Sequence, residues 1–146
     1  MNKIIQLEPS YFVSGQIGPD DMERIAHLGI KTIVCNRPDE EVEGAYQSAR
    51  IAQAAALAGI KFVYLPVHGF ELDGPDTPAL RDELGLPFDA PVLLYCRTGR
   101  RSTLLWARDA ATRIAVHEVS RRTTAIGIDR EELSLVLDDL VQAAAA

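Results

Sequence analysis

The sequence predicts an α/β fold: a single domain in which helices flank a central, mainly parallel sheet. Three observations carry this prediction. Short runs rich in β-branched residues alternate along the chain with alanine-rich or proline-opened helical segments. Residues 30–36, with β-branched Ile30, Thr32, Ile33 and Val34, and residues 92–95, Val-Leu-Leu-Tyr, have the pattern of strands buried on both faces. Finally, 146 residues with 47% hydrophobic content suffice for one core without a disulfide or metal.

The elements follow in chain order. Residues 11–14, Tyr-Phe-Val-Ser, form the first predicted strand. Gly18-Pro19-Asp20-Asp21 then opens a helix, because proline pre-sets φ for the first turn and the acids suit the positive end of the helix dipole. Gly29 ends that helix. Residues 30–36 are the second strand, closed by Asn36-Arg37-Pro38, and the alanine-rich stretch 40–57 predicts a long helix stopped by Gly59. Residues 61–67 are the third strand. The segment from His68 to Asp76 is dense in turn formers and acids, and Asp76 is placed to cap a short helix over 77–84. Residues 92–95 are the central strand, and a helix is predicted from Ser102 to about residue 116. Two more helices are expected near 119–125 and 130–141, with Ala143 to Ala146 as a fraying end.

Charge and hydropathy exclude several classes of function. A formal net charge of -6, from 15 basic and 21 acidic side chains, opposes binding to a nucleic-acid backbone. The longest apolar runs, 51–60 and 91–96, fall short of the ~20 residues of a membrane helix. Residues 1–8 lack the apolar region and cleavage site of a signal peptide, so a cytoplasmic protein is expected. No metal site is expected, since no His, Cys, Asp and Glu cluster has ligand spacing, and no Gly-x-Gly-x-x-Gly pattern calls for a dinucleotide. No cofactor is expected.

The chemistry concentrates at one of two cysteines. In parallel α/β sheets, ligands bind outside the carboxyl ends of strands, and Cys96 stands at such an end. Gly99 lets the following backbone turn its N–H groups inward as an anion nest, with a helix N-terminus behind it. Helix N-termini and nearby arginines can lower a thiol pKa to ~3.5–7.5, which makes Cys96 a candidate nucleophile. Arg97, Arg100 and Arg101 crowd this loop, and guanidinium groups offer paired hydrogen bonds to oxyanions. Arg101, at the loop's end, is the one expected to point inward. Ser102 is expected to cap the next helix and to donate to the thiolate. Cys35 also ends a strand but lacks a glycine nest, so it reads as core filler, with a resolving thiol as the alternative. Arg37 would lie at the same sheet edge as the pocket.

The loop Cys96-Arg97-Thr98-Gly99-Arg100-Arg101-Ser102 resembles the active loop of cysteine-dependent phosphatases and rhodaneses. Tyr11 to Gln16, Gly29 to Glu41 and Tyr64 to Val67 are similar to dual-specificity phosphatases, most of all to the phosphatase-like domain family of bacterial beta-lactamase hydrolase-like proteins. The resemblance covers about residues 6–140. It implies a protein tyrosine phosphatase-like architecture, with Cys96 forming a phosphocysteine, Arg101 and the loop amides binding the oxyanion, and Ser102 assisting the thiolate. Arg97, Thr98, Gly99, Arg100, His68 and Arg37 are the candidate substrate-binding residues. The family pattern is departed from twice: Arg101 follows Cys96 by five positions instead of six, as in rhodanese loops, and Tyr95 replaces the usual His.

Phosphate ester cleavage gains from a general acid at the leaving oxygen. The loop after the third strand offers His68, Glu71, Asp73 and Asp76, of which Asp73 ranks first and His68 second. The expected activity is hydrolysis of phosphate monoesters on a small phosphate-bearing substrate or phosphoprotein. The alternatives are sulfur transfer through a persulfide on Cys96 and a non-enzymatic anion-binding or redox-responsive module.

Overall fold

A computed structural model describes residues 3–68, 91–129 and 131–133. Five strands are found among them: β1 (Ile5–Glu8), β2 (Tyr11–Ser14), β3 (Thr32–Cys35), β4 (Lys61–Tyr64) and β5 (Val92–Tyr95). The helices are α1 (Met22–His27), α2 (Ser48–Leu57), α3 (Arg100–Ala110) and α4 (Val116–Thr124). The strands form one sheet in the order β1-β2-β5-β3-β4, with only the β1 to β2 pairing antiparallel. The expected α/β fold with a mainly parallel sheet is therefore present.

Alternation along the strands divides the core between the two faces of the sheet. Val13, Val34, Val92 and Leu94 pack with Leu104, Leu105, Trp106 and Ala110 of α3 and Val119 of α4. Phe12, Ile33, Leu93 and Tyr95 pack with Met22 and Ile25 of α1 and Ile51 and Ala55 of α2. β5 is buried at every residue, which is why its sequence carries no polar alternation.

Local chemistry moves several expected boundaries. The helix expected over 40–57 begins only at Ser48, because Asp39 caps it: its carboxylate accepts the Ser48 N–H and hydroxyl at 2.7 Å each. Residues before it form two short 3₁₀ turns, Asp39–Glu41 and Gly44–Tyr46, separated by extended backbone at Val42 and Glu43. The helix expected from Ser102 begins at Arg100, with Gly99 as its N-cap at φ +94°, so Ser102 is not the cap. It ends at Ala110, and α4 begins at Val116 instead of 119. β3 and β4 are shorter than expected, although Leu65 and Val67 still donate to Cys35 O and Asn36 O. Of the final expected helix, residues 131–133 are helical; the expected helix over 77–84 lies outside the described residues.

β1 had no counterpart in the sequence reading. This edge strand is held to the helices by one polar network. Glu8 accepts from Arg113 Nη2 and from Trp106 Nε1, both at 2.8 Å, and Arg113 also pairs with Asp109 at 2.9 Å while lying 5.6 Å over the Tyr11 ring. Arg122 donates to Leu7 O at 2.8 Å. Burial opposes the Glu8 charge, but the hydrogen bonds from Arg113 and Trp106 outweigh it and hold the carboxyl below its usual range. A carboxyl held low stabilises the fold above its unfolded pKa, and the contribution is lost as pH falls through the folded value. Arg113→Met should therefore lower stability by about 1–3 kcal/mol at pH 7 in urea unfolding, with a smaller difference at pH 3. A difference independent of pH would rule out this assignment.

Candidate active site

The parallel register ends β2, β5, β3 and β4 at one level, with Ser14, Tyr95, Cys35 and Tyr64 aligned. The loops leaving that edge build the site. Cys96 follows β5 directly and is buried. Its Sγ accepts the Gly99 N–H at 3.2 Å, so the loop already turns an amide onto the sulfur. Glycine is required there twice over. Its φ lies in the left-handed region, and a Cβ would sit 3.3 Å from the Ser14 carbonyl carbon and oxygen. Gly99 O in turn accepts from Thr103 N at 2.9 Å and Thr103 Oγ1 at 2.7 Å, which fixes the first turn of α3.

The three loop arginines take different positions. Arg97 is exposed, while its carbonyl accepts the Gln16 N–H at 3.1 Å. Arg100 is partly exposed and paired with Glu132, and its N–H meets exposed Thr98 Oγ1 at 3.3 Å. Arg101 is buried. Its Nη1 and Nη2 meet the two oxygens of Glu41 at 2.8 and 2.7 Å, and Nη1 also donates to Val67 O at 2.9 Å. The hydrogen bond to Glu41 raises the Arg101 pKa against the effect of burial, and the adjacent Cys96 sulfur adds to the rise. The same bond holds the Glu41 carboxyl below its ordinary range, with Arg37 contributing further.

Arg37 lies on the far side of that carboxylate. Its Nε meets Glu41 Oε1 at 3.3 Å, its Nη2 donates to Glu41 O at 3.1 Å, and its Nη1 donates to Gln16 Oε1 at 3.0 Å. Glu41 thus joins Arg37 to Arg101. Sequence reasoning placed Glu41 within a matching segment but gave it no role. The four-residue step from Arg37 to Glu41 suits an ion pair between those two, but the contact with Arg101, 60 residues away, leaves no trace in the spacing.

Ser102 is fully buried, and its hydroxyl donates to Asn36 Oδ1 at 2.9 Å instead of to the cysteine. Cys35 is buried against Tyr95, its thiol donating to Arg37 O at 3.3 Å, and burial pushes its pKa up. Burial, with the neighbouring Cys35, also pushes up the Tyr95 phenol. His68 is exposed and meets the Glu40 carboxylate at 3.2 Å. Glu71, Asp73 and Asp76 lie outside the described residues. Among the described residues no group of three His, Cys, Asp or Glu side chains could hold a metal, and no helix is long and apolar enough to cross a membrane.

Known proteins resemble this chain in sequence and in fold. Residues 4–113 match the family described as the beta-lactamase hydrolase-like protein, phosphatase-like domain. A beta-lactamase hydrolase-like protein of Xylella fastidiosa is 28% identical over 105 residues, 72% of this chain and 24% of its own. The chain thus spans about a quarter of the length of the curated relatives it matches. A candidate phosphatase of known structure from Neisseria meningitidis is 40% identical, with a TM-score of 0.75 covering 91% of this chain and 97% of its own. Kinase-associated phosphatase, solved with serine in place of its catalytic-site cysteine, gives a TM-score of 0.71 over 100% of this chain and 97% of its own. At 15% identity that likeness concerns the fold, which is protein tyrosine phosphatase-like. By the match over residues 4–113, this chain belongs to the phosphatase-like domain family of the beta-lactamase hydrolase-like proteins.

Proposed function

We propose that the protein is a cysteine-dependent phosphatase that hydrolyses phosphate monoesters, on a small phosphate-bearing substrate or phosphoprotein, through a phosphocysteine on Cys96. The observation that supports it best is a buried guanidinium beside the nucleophile sulfur: Arg101 spends one edge on Glu41, leaving Nε–H and an Nη2 proton for an anion at Cys96. The substrate phosphate binds to the amides of residues 97–102 and to Arg101, with Arg97 and Arg37 at the rim. Thr98, Gly99 and Arg100 shape the nest.

The Cys96 thiolate attacks phosphorus. The S–P bond forms as the P–O bond breaks, and the departing oxygen takes a proton from a general acid. Asp73 is assigned that proton, with His68 second. Water then attacks the phosphocysteine, inorganic phosphate leaves, and the thiolate is regenerated. Ser102, one residue beyond Arg101 in the first turn of α3, supports the loop that receives the returning charge.

An aryl phosphate assay tests this reading directly. The folded protein should release phosphate and be inhibited by vanadate, and Cys96→Ser should lower kcat by on the order of 10³-fold or more. Absence of turnover by well-folded wild-type protein would remove the proposal.

Glu41 gives a second test. Glu41→Gln keeps the shape but loses the charge that anchors Arg101, and kcat/KM should fall about 10- to 100-fold. Because Glu41 is held low, its anchoring charge is complete above the usual carboxylate pKa and disappears as pH falls through the depressed value. The wild-type advantage over Glu41→Gln should thus be constant above about pH 5 and shrink at lower pH. A flat ratio down to pH 3 would separate Glu41 from the site's function.

The five-residue spacing from Cys96 to Arg101 favours a second reading, sulfur transfer with a persulfide on Cys96. Thiosulfate would donate its outer sulfur to Cys96, release sulfite, and leave a persulfide for cyanide to remove as thiocyanate. Thiocyanate production that stays at background eliminates it.

A further inference from the structure

We propose that Asn36 is a positioning residue that sets the width of the anion cradle by clamping both ends of the 96–102 loop. The inference rests on the phosphatase reading and deepens it. Asn36 is fully buried and uses all four of its polar groups. Its backbone N–H donates to Tyr95 O at 2.8 Å, immediately before Cys96. Its side-chain Oδ1 accepts from Ser102 Oγ at 2.9 Å, immediately after Arg101. Its backbone carbonyl accepts from Val67 N at 2.9 Å, and Val67 O is the acceptor for Arg101 Nη1. Its Nδ2 donates to Leu65 O at 2.8 Å.

The chemistry fixes the direction of every bond. Leu65 O can only accept, so the amide nitrogen must face it, and the amide oxygen is left for Ser102. Ser102 must then donate its one proton to Asn36. The nucleophile and the buried arginine are therefore both referred to one residue at the end of β3, on a strand that belongs to neither: its backbone amide holds the Cys96 end of the loop and its side chain the Ser102 end. Asparagine supplies one donor and one acceptor at this length whatever the pH. Alanine would leave the Leu65 carbonyl and the Ser102 hydroxyl unpaired in the interior, and aspartate would set an oxygen against the Leu65 carbonyl.

The width of the cradle is read without turnover, by protection of Cys96 from iodoacetamide with inorganic phosphate, measured as the mass of the Cys96 peptide. Thermal melts accompany each variant. Asn36→Ala should weaken phosphate protection about tenfold or more, and Ser102→Ala should act in the same direction. The double variant should lose no more than the worse single one, because both remove the same bond. With an aryl phosphate the same variants should show a raised KM along with the lower kcat/KM, where a merely less stable protein would lose active fraction at constant KM.

Equal protection of wild type and both variants overturns the inference and leaves the phosphatase reading standing, as do additive losses in the double variant. Absence of protection in the wild type overturns both. Should Asn36→Ala fail to fold, Ser102→Ala carries the test: weaker protection in it supports the clamp, and wild-type protection overturns it.

Discussion

A guanidinium almost withdrawn from water is the constraint around which this molecule is arranged. Arg101 sits in the first turn of α3 with its side chain 7% exposed, and an unpaired charge there would cost several kcal/mol. Glu41 removes most of that cost with two short hydrogen bonds, and Val67 O satisfies a third donor. The partner carboxylate comes from a different loop, so satisfying Arg101 also docks the segment after β3 onto the start of α3. That docking depends on Asp39. By capping α2 at Ser48 it keeps residues 40–47 out of the helix that their neighbours would favour, and Glu41 is left on a turn that can reach the arginine.

The local electrostatics differ from the overall balance. The chain as a whole is acidic, at -6, yet among the described residues Arg37 and Arg101 converge on the Glu41 carboxylate at the edge where four strands end, with Asp39 and Glu40 on the same turn. Beside that cluster a buried sulfur receives the Gly99 amide at the N-terminus of α3. A globally negative surface disfavours large polyanions, and on the phosphatase reading proposed above a small anion meets the local field of the loop instead.

Much of this could be read from the chain. Central β5, its neighbour β3 and the glycine-bearing loop were legible because apolar continuity and a Cys-to-Arg cluster are local signals. The long helix over 40–57 was misjudged, since alanine content is read by propensity while the cap at Asp39 acts from a side chain nine residues before its partner. β1 was missed because only Leu7 in it is buried, and its hold on the fold comes from Arg113 more than 100 residues away. Asn36 and Glu41 escaped for the same reason. Each acts through bonds to residues 60 or more positions distant, and spacing along the chain does not reveal such contacts.

The common level of Ser14, Tyr95, Cys35 and Tyr64 has one more consequence. A strand lengthened by a single residue would shift its outgoing loop by about 3.3 Å and turn its side chains to the opposite face. Loops at this edge can therefore gain or lose residues while the strands that launch them cannot. In descendants of this fold, new specificity would arise by substitution and insertion beyond the sheet's rim, with the count of residues inside each strand held constant.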